Sequence, residues 1–181
     1  MMKRWTALFL IVLLSLSVVA LAEDAAPFGL DRIRPDWSEK DVIALYGEPE
    51  PDTGWNSDCL QFVLHPSGLV DIMCEVWFDD DNDDTQGCVD TLEYRPYELS
   101  SAGDEDWDAF NEFILEHMNS ACGAASVYGT PSDLSEDLDG LHDAYVGWGG
   151  SETALYGWRV GNNGLAALFM DDCLYYFPNW F

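Results

Sequence analysis

The chain has 181 residues and a formal net charge of −27, with 34 acidic side chains against 7 Lys and Arg. This charge excludes a protein that follows nucleic-acid phosphates, because such proteins use Lys and Arg to displace counterions. An anionic membrane surface would repel the chain for the same reason. A hydrophobic fraction of 48% and an aromatic fraction of 14% exclude wholesale disorder and supply the side chains of a core.

Residues 1–22 have the pattern of a secretory signal peptide. Lys3 and Arg4 precede an apolar run, and a small-x-small cleavage site ends at Ala22. A transmembrane anchor is the alternative for an apolar stretch of this length, but no stop-transfer charges follow it. We therefore expect a secreted or periplasmic protein with no stable membrane anchor after cleavage, whose charge becomes −29 on loss of Lys3 and Arg4.

Two helices stand out in the remaining chain, and the pattern of the first recurs before Gly129 and Pro131. Ser38 and Asp41 form a near capping box, apolar residues then recur at helical spacing, and Gly47 and Pro49 end the segment. A longer helix is predicted over residues 104–119, and it has an apolar stripe at the spacing of one helix face. The stripe consists of Trp107, Phe110, Ile114 and Met118.

Segments with strand character follow each helical region and are separated by turn signals. They are residues 60–64, 71–78, 88–95, 143–148, 153–160 and 165–177. Alternation places Ile72, Cys74 and Val76 on one side of the sheet and Trp77 on the other. Tyr175 and Phe177 are expected on the same side as Trp77, where they would form an uncovered aromatic face. A terminus or the other half of the chain could instead cover that face.

Five cysteines are typical of an oxidising compartment, and their odd number leaves at least one thiol free or paired between chains. A two-residue turn at Pro66-Ser67 places Cys59 directly opposite Cys74, close enough for a disulfide. A three-residue turn would shift the register and remove this pairing.

A shift of 82 residues places the YGxP motif of residues 46–49 on residues 128–131. The same shift places a DxLxYxP motif of residues 90–96 on residues 172–178. We therefore predict an α+β fold of two tandem helix-helix-antiparallel-meander repeats, with the helices packed on one face of the sheet. The expected units are the signal peptide over 1–22, a first repeat over 23–98 and a second repeat over 99–181.

A helix that ends in DVIALYGEP and is followed by a meander resembles the SmpA/OmlA (BamE-like) module. Two such modules in tandem resemble the arrangement of the β-lactamase inhibitor protein (BLIP) family. This resemblance implies the fold and a style of protein binding through a concave aromatic sheet surface. The chain lacks the lipid-attachment Cys of the BamE pattern, and no inhibitory residue of BLIP can be matched position by position.

The acidic segment 79–90 is similar to a calcium-binding loop. The side chains that match positions 1, 3, 5, 7 and 12 of such a loop are Asp79, Asp81, Asp83, Thr85 and Asp90. Asp84 stands at position 6, where the sharp turn favours Gly, and the segment lies between predicted strands instead of helices. The alternative is a solvated hairpin loop, so no cofactor is predicted apart from this candidate calcium site.

The sequence contains no GxSxG, HExxH, P-loop or GxGxxG motif, and we predict that the protein is not an enzyme. We expect an exported protein-binding module, such as an inhibitor of an extracellular or periplasmic protein, with a basic protein as partner. The predicted partner-binding residues are Trp55, Trp77, Tyr175 and Phe177. The alternative is a cell-envelope assembly or structural module stabilised by calcium, and an unrecognised hydrolase is a third. The charge equally suits solubility in salty surroundings.

Overall fold

The computed structural model describes residues 25–51, 59–79, 87–97, 103–150, 154–170 and 172–181. A 3₁₀ helix spans Pro27–Arg32, and the α-helices are α1 (Glu39–Tyr46), α2 (Asp104–Cys122) and α3 (Ser135–Gly147). The strands are β1 (Cys59–Leu64), β2 (Ile72–Phe78), β3 (Val89–Pro96), β4 (Ser126–Val127), β5 (Leu155–Val160), β6 (Gly164–Phe169) and β7 (Cys173–Phe177). The predicted signal peptide lies outside the described residues. Within them, no helix combines the length and the apolar character needed to cross a membrane.

The seven strands form a single antiparallel sheet in the order β1-β2-β3-β7-β6-β5-β4. Strand β7 lies between β3 and β6, and it therefore joins the first three strands to the last ones. The mixed α+β class is confirmed. The prediction of two tandem helix-helix-meander repeats is wrong, because the structure is one sheet with an unequal set of elements before and after α2.

The two stretches that the 82-residue shift equates have different structures. Residues 38–46 contain α1, whereas residues 120–128 contain the end of α2 and the short strand β4. Residues 143–148, which were expected to form a strand, lie largely in α3. The reason is the helical spacing of Leu134, Leu138 and Leu141, which are buried together against the sheet.

Helices pack on both faces of the sheet, so the prediction of helices on one face is also wrong. The first face is covered by the 3₁₀ helix, α1 and α2, which bury Leu30, Val42, Phe110, Ile114 and Met118 against it. The opposite face is covered in part by α3, which packs on β5 and β6 through Leu138 and Leu141. The region of this second face formed by β2, β3 and β7 continues beyond the helix.

Several local predictions are confirmed. The Ser38 N–H donates to Asp41 Oδ2 at 3.0 Å, which completes the capping box of α1. Gly47 ends this helix with a φ of 93°, in the left-handed region that favours glycine. The alternation in β2 also holds, because Ile72, Cys74 and Val76 are buried in the core formed with α1 and α2.

The predicted register of the first hairpin is wrong. Cys59 lies opposite Trp77, and Cys74 lies opposite Phe62, because residues 65–71 form a longer connection than a two-residue turn. A 2.7 Å contact between His65 Nδ1 and Asp71 Oδ1 joins the two ends of this loop. The proposed Cys59–Cys74 disulfide therefore loses its geometric basis, and Cys74 is a buried thiol.

Candidate functional site

A cleft of about 790 Å³ lies on the second face of the sheet, where the covering by α3 ends. Strands β2, β3 and β7 form its floor, and one side of α3 forms a wall. We call it the aromatic cleft, and it is lined by Trp77, Phe78, Asp79, Asp90, Thr91, Glu93, Leu141, Tyr145, Trp148, Phe169, Tyr175 and Phe177.

The floor follows from the pairing of neighbouring strands. Glu93 of β3 lies opposite Tyr175 of β7, and Thr91 of β3 lies opposite Trp77 of β2. Residues that face each other on adjacent strands project to the same side of the sheet, so these side chains form one continuous surface. The floor is therefore set by backbone hydrogen bonds and does not depend on a flexible loop.

Aromatic rings run across this floor in contact with one another. Tyr175 stacks on Phe177 with 6.2 Å between ring centroids, and Phe169 meets Tyr175 edge-on at 5.7 Å. At one end Phe177 contacts Trp180 at 5.0 Å, and at the other Tyr145 contacts Phe169 at 4.3 Å. Such contacts fix the orientation of the rings before any ligand arrives.

The wall is a single face of α3. Leu141 and Tyr145 lie one turn apart on the helix, and Trp148 directly follows its last residue, three positions after Tyr145. The lack of a side chain at Gly150 allows the Tyr145 ring to pack closely there, because a Cβ at that position would lie 2.3 Å from the ring. Trp148 stands at the rim, and its exposed fraction of 80% makes it the most exposed large hydrophobic residue of the part described.

A charged cluster continues the floor toward β1. Glu75 is only 3% exposed, and its Oε1 accepts hydrogen bonds from Gln61 and from Arg95, both at 2.8 Å. The second amino group of Arg95 donates to Glu93 at 2.6 Å. Burial raises the pKa of Glu93 even though the neighbouring Arg95 acts to lower it. The ionised carboxylate of Glu93 is thus less stabilised than it would be in water.

The structure brings most of the predicted partner-binding residues together. Trp77, Tyr175 and Phe177 all line the aromatic cleft, whereas Trp55 lies outside the described residues. Tyr145 and Trp148 were missed, because their segment was assigned to a strand. The signal that could have identified them is the helical spacing of the leucines that precede them.

The candidate calcium residues are only partly within the described chain. Asp79 and Asp90 both lie at the rim of the cleft, and Asp81, Asp83 and Thr85 are outside the described residues. The Asp79 N–H donates to the Cys88 carbonyl at 2.9 Å, which joins the residue after β2 to the residue before β3. Among the residues that the structure describes, no group of three or more His, Cys, Asp or Glu side chains could hold a metal ion. Calcium binding by the whole segment stays a prediction.

The histidines lie apart from the aromatic cleft. His65 contacts Asp71 on an exposed loop, His117 stacks on Phe113, and His142 stacks on Tyr128. Beside the floor, Cys173 is fully buried, and this burial raises the pKa of its thiol well above the usual range. The cleft thus offers ring faces and carboxylates, which suit recognition of apolar and positively charged groups.

Comparisons with protein-family models, with curated proteins and with solved structures found no match for this chain. The resemblance to SmpA/OmlA (BamE-like) modules and to the BLIP arrangement therefore stays a prediction from short motifs. The tandem organisation that the resemblance implies is not present, since the described strands form one sheet with unequal helical coverage.

Proposed function

We propose that this protein is an exported, non-catalytic binding module that holds a partner protein in the aromatic cleft. The observation that supports it is a strand-based floor that carries Trp77, Tyr175 and Phe177 beyond the helix that covers the rest of that face. Tyr and Trp are enriched at the centres of protein interfaces, where they bury much area at low entropic cost. Inhibition of an extracellular or periplasmic protein is one way in which such a module acts.

Substitution of Trp148, at the rim of the cleft, tests this proposal most directly. Truncating a residue with an exposed fraction of 80% removes contact area for a partner but little packing within the fold. Tyr97 provides a matched control, since it is an exposed aromatic residue (37%) that does not line the cleft.

The experiment compares capture by three immobilised proteins: wild type, Trp148→Ala and Tyr97→Ala. Each is incubated with envelope extract and culture supernatant of the source organism, and bound proteins are quantified by mass spectrometry. We expect a protein that wild type and Tyr97→Ala retain equally and that Trp148→Ala loses by at least about tenfold, the effect of one interface hot spot. Equal retention by all three proteins would show that binding occurs elsewhere on the surface.

A further inference from the structure

The charge of the aromatic cleft restricts the chemistry of its occupant. Asp79, Asp90 and Glu93 line it, and none of the Lys or Arg residues in the described parts of the chain does so. Arg95 contacts Glu93 beside the cleft, and its guanidinium already donates to both Glu75 and Glu93. The cleft and its polar floor therefore carry four carboxylates, from Glu75, Asp79, Asp90 and Glu93, and one guanidinium, so the formal charge of this surface is negative.

The rings around these carboxylates add a second preference. Trp148 and Tyr145 stand on the wall, and Tyr175 lies directly opposite Glu93 on the adjacent strand. Aromatic faces attract cations, and a planar guanidinium both stacks on a ring and donates to a carboxylate. The chain already contains one contact between a guanidinium and a ring, since the Arg159 guanidinium lies 3.6 Å from the centroid of the Phe181 ring.

We infer that the aromatic cleft accepts an arginine side chain from a basic segment of the partner protein, with the guanidinium held by Glu93 and Asp90 and stacked against the α3 wall. This inference rests on the proposed function and specifies the chemistry of the partner at that site. An arginine fits better than a lysine, because an ammonium is more strongly hydrated and cannot stack. The raised pKa of Glu93 adds support, since an incoming cation would restore the stabilisation that burial removes.

The test uses short synthetic probes and the folded full-length protein after removal of residues 1–22. The probes are blocked pentapeptides of glycine with a central arginine, lysine or citrulline, the last being a neutral isostere of arginine. Binding is followed through the indole ¹H–¹⁵N signals of tryptophan during titration. We expect saturable shifts with the arginine peptide and affinity at least about tenfold weaker for the other two peptides.

Variants locate the binding site. We expect the affinity for the arginine peptide to fall by about tenfold in each of three variants, Glu93→Gln, Asp90→Asn and Trp148→Ala. Glu112→Gln is the matched control, because Glu112 is an exposed residue of α2, on the other side of the sheet, and should change the affinity less than about twofold. Asp90 is exposed, so its variant keeps the test valid even if Glu93→Gln unfolds the protein. Circular dichroism of each variant verifies the fold.

Other outcomes separate this inference from the proposed function. Equal binding of the citrulline or lysine peptide, or equal losses for Glu93→Gln and Glu112→Gln, would overturn the arginine assignment. If partner capture still depends on Trp148 while Glu93→Gln and Asp90→Asn capture normally, the inference is wrong and the proposed function stands. If the arginine peptide binds as expected but no captured protein depends on Trp148, the cleft chemistry is supported and the protein partner is not.

Discussion

Glu75 illustrates at the scale of one residue how the sheet tolerates a charge in its interior. Its side chain is nearly inaccessible, yet a single carboxylate oxygen receives one hydrogen bond from Gln61 and one from Arg95. Removing a charge from water costs several kcal/mol, and only such paired donors offset that cost. We therefore expect Arg95 to stabilise the part of the sheet that forms the floor of the aromatic cleft.

Replacement of Arg95 by Met tests this role. The variant keeps side-chain volume but leaves Glu75 with one neutral donor, so we expect the free energy of unfolding to fall by about 3 kcal/mol. Urea denaturation followed by circular dichroism gives this quantity. Arg34→Met is the control, because Arg34 pairs with Asp36 at 3.2 Å on an open surface and should contribute little. An equal loss in both variants would contradict the proposed role of Arg95.

At the scale of elements, the position of α3 depends on a glycine in the strand beneath it. A Cβ on Gly157 would lie 2.5 Å from a methyl group of Leu138, which is itself fully buried. The absence of a side chain at position 157 lets the helix approach β5 closely.

Two glycine substitutions should therefore have opposite effects. Gly157→Ala forces Leu138 or the whole helix to move, and we expect a loss of about 2 kcal/mol in the free energy of unfolding. Gly140→Ala is the matched control, since Gly140 is exposed within α3 and has open space around its Cα. The free energy of unfolding of Gly140→Ala should rise by about 1 kcal/mol, because alanine loses less conformational entropy than glycine when a helix forms. Urea unfolding of both variants measures these changes in the free energy of unfolding. If both variants were stabilised, or both destabilised, the close packing of Leu138 on Gly157 would be contradicted.

The elements that could be predicted from the sequence are those whose signals are local. The capping box of α1 and the apolar stripe of α2 each need only a few neighbouring residues, and both are confirmed. The floor of the cleft could also be predicted, because strict alternation in β2 and β7 places Trp77 and Tyr175 on the same side of the sheet. These patterns report the face that each element buries, whatever the topology.

The rest was not predicted, in one case because a local pattern was misread and in the other because the register depends on how a loop closes. Residues 143–148 were predicted to form a strand, although the spacing of Leu134, Leu138 and Leu141 favours a helix. The hairpin register depends on how residues 65–71 close, and that loop is longer than its Pro-Ser pair indicated. Because α3 was not predicted, the wall of the cleft was not predicted either, and the sequence indicated only the floor of the site.

At the scale of the whole molecule, charge is the dominant property. A formal net charge of −27 produces self-repulsion in the compact state, and dissolved salt screens it. The carboxylates at the aromatic cleft lie within this field, which would attract a basic partner over long distances and accelerate its association.

Salt should therefore stabilise the fold. Between about 0.02 M and about 0.5 M NaCl at neutral pH, we expect the melting temperature to rise by about 3 °C or more. Near pH 4, where exposed Asp and Glu are partly protonated, the rise should be smaller. Differential scanning calorimetry measures both series. A melting temperature that falls with salt at neutral pH would show that specific ion pairs outweigh the general repulsion.

The strand order also has a consequence for how the protein folds during its synthesis. Strand β7 follows the other six along the chain, yet it occupies the centre of the sheet between β3 and β6. Until β7 has been synthesised, each of those neighbours presents an unpaired edge that invites aggregation or pairing with another chain. Folding during synthesis can therefore complete only two separate parts of the sheet, and the edges of β3 and β6 become protected only when β7 is added.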